Sequence, residues 1–219
     1  MRVGGLVIMD KKKLAEAINK ALEEKGKRKF SQSVEIIVNI RSIDFSKSEN
    51  RLNLDIILPK GKGGKALKCA VFAEPEIAEK AKKSGADLVI SPNEIPAYAE
   101  KSKITELADK YVMLAQPNLM GVVAKSLGQY LGKRGKLPKP IAGDDIEAII
   151  KRTKNSVRIV SKGKYLPVAQ ALIGTETMES DELLENAEAV YDAVKNKVNE
   201  GNIKSVYVKL TMGKPVRVG

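Results

Sequence analysis

The sequence predicts an α/β protein of two domains, one of which is interrupted by the other. Three observations carry that reading. Near both ends of the chain, apolar and polar residues alternate in strand-length runs, the mark of sheets with one solvated face. In the middle, short runs are apolar throughout and alternate with helical stretches, the mark of a parallel sheet covered on both sides. The outer segments share one style, so residues 1–62 and 154–219 group as a discontinuous domain and residues 63–153 as an insert. Domain termini commonly lie close together, which makes such insertions tolerable.

Each element has its own signal. Asp10 precedes a run in which Leu14, Ile18 and Leu22 share a helical face, and Gly26 marks its end. The MRVGGLVIM before it is short, carries only Arg2 and lacks a signal-peptide cleavage site; Met9 reads as a second possible start. A basic link over 25–29 leads to SVEIIVNI (33–40), with Val34, Ile36, Val38 and Ile40 on one side. RLNLDIIL (51–58) alternates likewise, with Leu52, Leu54, Ile56 and Leu58 on one side, so the two runs read as strands of one half-buried sheet. KGKGGK (60–65) reads as a flexible crossing between domains whose lysines can reach phosphate. ALKCAVFA (66–73), ADLVI (86–90) and YVMLA (111–115) are the buried strands of the insert. Helices are expected over 75–84, 93–109, 117 to about 130, and 144–153. SVRIV (156–160) and LPVAQALI (166–173) return to the half-buried style. Ser180 caps a long helix ending near Gly201, and a last strand runs over 203–212. So regular a strand at the chain's end belongs in the outer sheet, beside strands from the first quarter.

Composition narrows the function. In 219 residues, 39 Lys and Arg outnumber 27 Asp and Glu, a net charge of +12. That excess favours a polyanionic partner, either nucleic acid or an acidic membrane surface. There is no histidine, which removes Ser-His-Asp and Cys-His catalysis and most transition-metal sites. The single cysteine, Cys69, permits no internal disulfide and no cysteine zinc site, and its apolar surroundings mark it as a small buried hydrophobe. No apolar stretch approaches a membrane span, and nothing calls for a metal or a cofactor.

The motifs sort against structural alternatives. Gly61, Gly63 and Ala66 fit the loose dinucleotide fingerprint, yet the segment that follows reads as a strand where a helix is required. The first strand of the insert leads into AEPEIAEK, which has no glycine to admit a pyrophosphate, and no Walker A loop exists. In LGKRGKLPKP (131–140), no acidic residue occurs between Asp109 and Asp144, and Lys133, Arg134 and Lys136 read as auxiliary phosphate contacts. A basic loop without a partner is the alternative. In the last strand, Val206, Val208, Leu210 and Met212 share one face; Ser205, Tyr207, Lys209 and Thr211 share the other. That second face suits RNA, with its 2′-hydroxyls, phosphates and unstacked bases, but exposed strand faces often look like this. The pairs Asp144-Asp145 and Asp181-Glu182 open helices, where acidic residues complement the dipole.

Three separated stretches, KFSQSVEI, LGKRGKLPKP and SVYVKLTMG, together resemble the ribosomal protein L-one family, the large-subunit stalk proteins, in its archaeal type. The resemblance covers the chain from about Asp10 onward. It implies a split α+β sandwich-like domain with an inserted Rossmann-like three-layer α/β domain. It implies binding to large-subunit rRNA, mainly through the split domain, and repression of the protein's own mRNA through a similar RNA shape. It further implies a stalk that moves as deacylated tRNA leaves the exit site, a monomer off the ribosome, a cytoplasmic location and no catalysis. Its RNA-contact patch falls on Lys29, Phe30, Ser33 and Glu35 at the first strand, and on Ser205, Thr211, Met212 and Gly213 at the last. Lys133 and Lys214 stand where the family usually has proline, each removing a fixed φ and adding a cation. The competing readings are a nucleotide-dependent transferase with a Rossmann-like domain, and a DNA-binding regulator.

Overall fold

A computed structural model describes residues 10–64, 67–143, 145–161 and 166–219. The apolar start MRVGGLVIM, Lys65 and Ala66 at the end of the glycine-rich crossing, and Asp144 lie outside the described residues. The chain divides into two compact units: one runs to Lys65 and resumes at Ser156, the other is Ala66–Asn155. The expected crossings, after 62 and after 153, each lie a few residues early. Gly63 is still held by the first unit, since the Thr175 hydroxyl donates to its carbonyl at 2.8 Å. Lys154 still belongs to the insert, where its Nζ lies 2.7 Å from Asp87 Oδ2 and 2.8 Å from the Gly85 carbonyl.

The discontinuous unit opens with helix α1, Lys11–Leu22, then strands β1, Ser33–Ile40, and β2, Asn53–Ile57. The insert contributes β3 (Lys68–Phe72), α2 (Pro75–Lys83), β4 (Leu88–Ile90), α3 (Lys101–Lys110), β5 (Tyr111–Ala115), α4 (Met120–Lys133), β6 (Lys139–Pro140) and α5 (Ile146–Asn155). The chain returns with β7 (Ser156–Val160), β8 (Val168–Thr175), α6 (Ser180–Val198), β9 (Ile203–Leu210) and β10 (Val216–Val218).

In the discontinuous unit, β10, β9, β1 and β8 form an antiparallel sheet in that order. Val34, Ile36, Val38 and Ile40 of β1 are buried at every second position, as strand periodicity requires. They pack with Leu14 and Ile18 of α1 and Leu183, Ala187, Val190 and Val194 of α6. Asp10 starts α1 as expected, its Oδ1 accepting from the Lys12 amide at 2.9 Å. Helix α6 differs from expectation at its start. The cap is Glu179, in a reciprocal capping box with Glu182, while the Ser180 hydroxyl donates to Asn19 Oδ1 on α1 at 2.6 Å. The first two strands also do not share a sheet: β1 pairs with β8 and β9, and β2 pairs with β7 in a separate two-stranded sheet. Alternation reveals a strand and its buried face, but not its neighbour.

In the insert, β4, β3, β5 and β6 are parallel, in that order. Ala70 and Phe72 of β3 pack under α3 and α4, while Cys69 and Val71 pack under α2 and α5. Both faces are covered, which explains the unbroken apolar runs. Burial pushes the Cys69 thiol up to about 11. The expected single helix over 93–109 is broken. Residues 95–99 form a 3₁₀ turn, Glu100 is extended, and α3 starts anew with Ser102 Oγ donating to Glu100 Oε1.

Candidate nucleic-acid interface

Three segments far apart in sequence meet at one end of the β10–β9–β1–β8 sheet. Because β1 runs antiparallel to both neighbours, its first residue lies beside the end of β8, with Ser33 opposite Thr175, and Val34 opposite Leu210 brings in the end of β9. The entry to β1 and the turns after β8 and β9 are therefore neighbours.

The turn over 211–213 is tied to the β1 entry at several atoms. The Thr211 amide donates to the Ser33 carbonyl at 3.0 Å. The Ser33 amide donates to Thr211 Oγ1 at 3.0 Å, and that hydroxyl donates back to the Ser33 carbonyl at 3.3 Å. Its single proton is thus used within the protein. The Met212 amide donates to Gln32 Oε1 at 3.1 Å, and Gln32 Nε2 donates to Glu176 Oε2 at 3.2 Å. The Gly213 amide closes the turn on the Leu210 carbonyl at 3.0 Å. A Cβ at Gly213 would stand 2.9 Å from Glu24 Oε2, the movable end of a flexible side chain, and 3.1 Å from the Leu210 Cβ, so a side chain fits here only if these neighbours give way. Lys209 Nζ donates to the Thr211 carbonyl at 3.1 Å.

On this braced framework two large apolar side chains face solvent: Phe30 is 51% exposed and Met212 is 58% exposed. Lys29 is exposed beside Phe30, and Ser33 and Glu35 are half-buried, with Glu35 opposite Lys209 on β9. Seven of the eight residues expected at the patch, all but Ser205, thus lie on the segments meeting at this end. Ser205 is buried six residues before Thr211, about 20 Å along an extended strand, and its Oγ accepts from Asn39 Nδ2 at 3.0 Å.

The sequence reading missed Gln32, Thr175 and Glu176, which are 2%, 1% and 5% exposed and hold the turns together. It also missed Asn186 of α6, which is fully buried. Its Nδ2 donates to the Gly61 and Ile173 carbonyls at 2.9 and 2.7 Å, and its Oδ1 accepts from the Lys60 amide at 3.0 Å. The only advance signal was a polar residue on the apolar face of a helix. Its consequence is a correction: residues 60–63 of the glycine-rich crossing are anchored rather than flexible. Lys60 pairs with Glu185 and Lys62 is buried.

The basic stretch of the insert is also partly corrected. Lys133 ends α4, and Lys139 and Pro140 form β6 beside β5, so 131–140 is not one loop. Gly135, at φ +65°, and the Lys136 amide, bonded to the Leu131 carbonyl at 2.9 Å, form the helix C-cap. Arg134 pairs with Asp109 and lies 4.8 Å over the Tyr130 ring. Lys133 and Lys136 remain exposed.

The Rossmann-like insert could suggest a nucleotide crevice where chain progression reverses, at the carboxyl ends of β3 and β5. There, polar side chains hydrogen-bond to one another. Glu74, before α2, accepts from Asn118 Nδ2 at 2.8 Å and from Gln116 Nε2 at 3.4 Å, and its amide donates to Gln116 Oε1 at 3.1 Å. A carboxylate at the helix N-terminus opposes a phosphate there. Among the described residues no group of three or more acidic, cysteine or histidine side chains could hold a metal, and no helix is long and apolar enough to cross a membrane.

Comparison with known proteins agrees with this architecture. A protein of Methanocella arvoryzae named large ribosomal subunit protein uL1 is 42% identical over 215 residues, covering 96% of this chain and 100% of that relative. Proteins of the same name from Thermofilum pendens and Thermococcus kodakarensis are 44% and 43% identical, over 94% and 95% of this chain and 92% and 98% of theirs. The sequence profile of the Ribosomal protein L1p/L10e family matches residues 7–214. With a match over nearly the whole chain and relatives 42% and 44% identical, the chain belongs to the Ribosomal protein L1p/L10e family.

Proposed function

We propose that the discontinuous unit binds large-subunit ribosomal RNA by its shape, through the sheet end where Phe30 and Met212 emerge. The coarse role follows from family membership: the chain is a structural protein of the large ribosomal subunit, located on cytoplasmic ribosomes, and not an enzyme. The transferase reading is therefore withdrawn.

One observation carries the finer reading. Phe30 and Met212 stay about half exposed, and the turn that carries Met212 is fixed by bonds to Gln32, Ser33 and Leu210, with Phe30 two residues before Gln32. Exposed apolar side chains on a preorganised turn, in a chain of net charge +12, suit unstacked bases and riboses held close by phosphate attraction. Lys29 would supply a phosphate contact, Glu35 an acceptor for a 2′-hydroxyl, and Gly213 a close backbone approach. Lys133 and Lys136 would add attraction without sequence preference. The same patch would bind the protein's own mRNA wherever that message repeats the RNA shape. Contact with exit-site tRNA, and a monomeric state off the ribosome, complete the proposal.

The test is Phe30→Ala. Its ring is half exposed, so the melting temperature should hold. Affinity for an rRNA fragment containing the stalk base should fall by roughly 1–3 kcal/mol if the ring stacks on a base. Unchanged affinity would remove Phe30 from the interface.

A further inference from the structure

We propose that Gln32 is a positioning residue for the RNA-binding turn: its amide sets the backbone at Met212, and with it the direction of the exposed Met212 side chain, by bridging to Glu176. The inference rests on the RNA-binding reading above.

The chemistry of the contacts makes the bridge directional. Gln32 Oε1 accepts from the Met212 amide and Gln32 Nε2 donates to the Glu176 carboxylate. Turning the amide over would set NH₂ against N–H and carbonyl oxygen against carboxylate, so only one orientation is satisfied. Glu176 is itself fixed at a second point, because its amide donates to the Gln32 carbonyl at 3.0 Å. Both residues are almost fully buried, so water cannot replace either bond without opening the site. With a carboxylate at 176, a neutral donor and acceptor at 32 is therefore required, and neither a carboxylate nor an apolar side chain there supplies it. The link also joins distant parts of the chain, since Gln32 and Glu176 are 144 positions apart and Gln32 and Met212 are 180 apart.

The test uses the full chain and the same rRNA fragment, with Gln32→Met, Gln32→Glu, and Gln32→Glu combined with Glu176→Gln. Gln32→Met keeps the shape and loses both bonds; affinity should fall about tenfold, and the Met212 amide should shift in its ¹H–¹⁵N spectrum and exchange faster. Gln32→Glu sets two carboxylates face to face and should fall at least as far. The double variant restores one acceptor toward Met212 and one donor between 32 and 176. It should return to within about twofold of the parent, a rescue that loss of packing alone would not give. Parent-like affinity and an unmoved Met212 amide in Gln32→Met would overturn the proposal, as would a double variant no better than Gln32→Glu. If Gln32→Met fails to fold, the double variant decides. If the parent does not prefer RNA over DNA, the RNA reading fails by itself, and the Met212 amide of Gln32→Met still decides whether Gln32 positions the turn.

Discussion

Thr211 shows what a single hydroxyl does at this sheet end. It accepts from one atom of Ser33 and donates to another, so its first task is to fasten the turn to β1. Thr211→Val keeps the shape and leaves the Ser33 amide without its side-chain acceptor. It should cost about 1–2 kcal/mol of stability, read by denaturant unfolding, and RNA affinity should fall with it because the turn loosens. Equal affinity for RNA in the variant would detach this turn from RNA binding. Gln32, Thr175 and Glu176 could not be recognised beforehand for a related reason. Each is an ordinary polar residue in sequence, and its role exists only where β1, β8 and β9 converge. Phe30 and Met212 enter the proposed patch through resemblance to a family; alternation alone described the face of β9, Thr211 included, without assigning a partner.

At the level of elements, the crossing between units is held more firmly than its composition suggests. Gly63 has φ +62°, and a Cβ there would lie 2.3 Å from Thr175 Oγ1 and 2.6 Å from Met178 Sδ. Gly64 has φ +85° with open space around it. Gly63→Ala should therefore destabilise by roughly 1–3 kcal/mol, and Gly64→Ala by less, in thermal melts compared side by side. In the insert, partial burial pushes the Asp87 carboxyl up. Hydrogen bonds from the Lys154 ammonium and the Cys69 amide, with the lysine field, outweigh it and leave Asp87 below its ordinary value. A carboxyl depressed on folding stabilises above its unfolded pKa, and that contribution is lost as pH falls through the folded one. The stability difference between parent and Asp87→Asn should hold at neutral pH and shrink below about pH 4. A difference that stays constant down to pH 2.5 would contradict the pairing. Strands with clear alternation were readable to the residue, as with β1 and β7. The short β6 and β10 were not, because two or three residues carry no period and form strands only by pairing with β5 and β9.

For the whole molecule, two sequence styles reported two kinds of sheet. The half-buried style belongs to the two antiparallel sheets, the larger of which carries the proposed interface, and the fully apolar style to the parallel sheet of the insert. Charge asymmetry pointed to a polyanion without saying which one, since phosphate attraction is shared by every nucleic acid. In the proposed function, selectivity comes from the braced end of the antiparallel sheet. The most direct measurement is filter binding of the full chain to the rRNA fragment containing the stalk base, to the matching DNA and to an unrelated structured RNA, across a salt series. The account predicts tight binding to the first alone that persists at moderate salt. Weak binding to all three that disappears together as salt rises would contradict it, leaving only the charge.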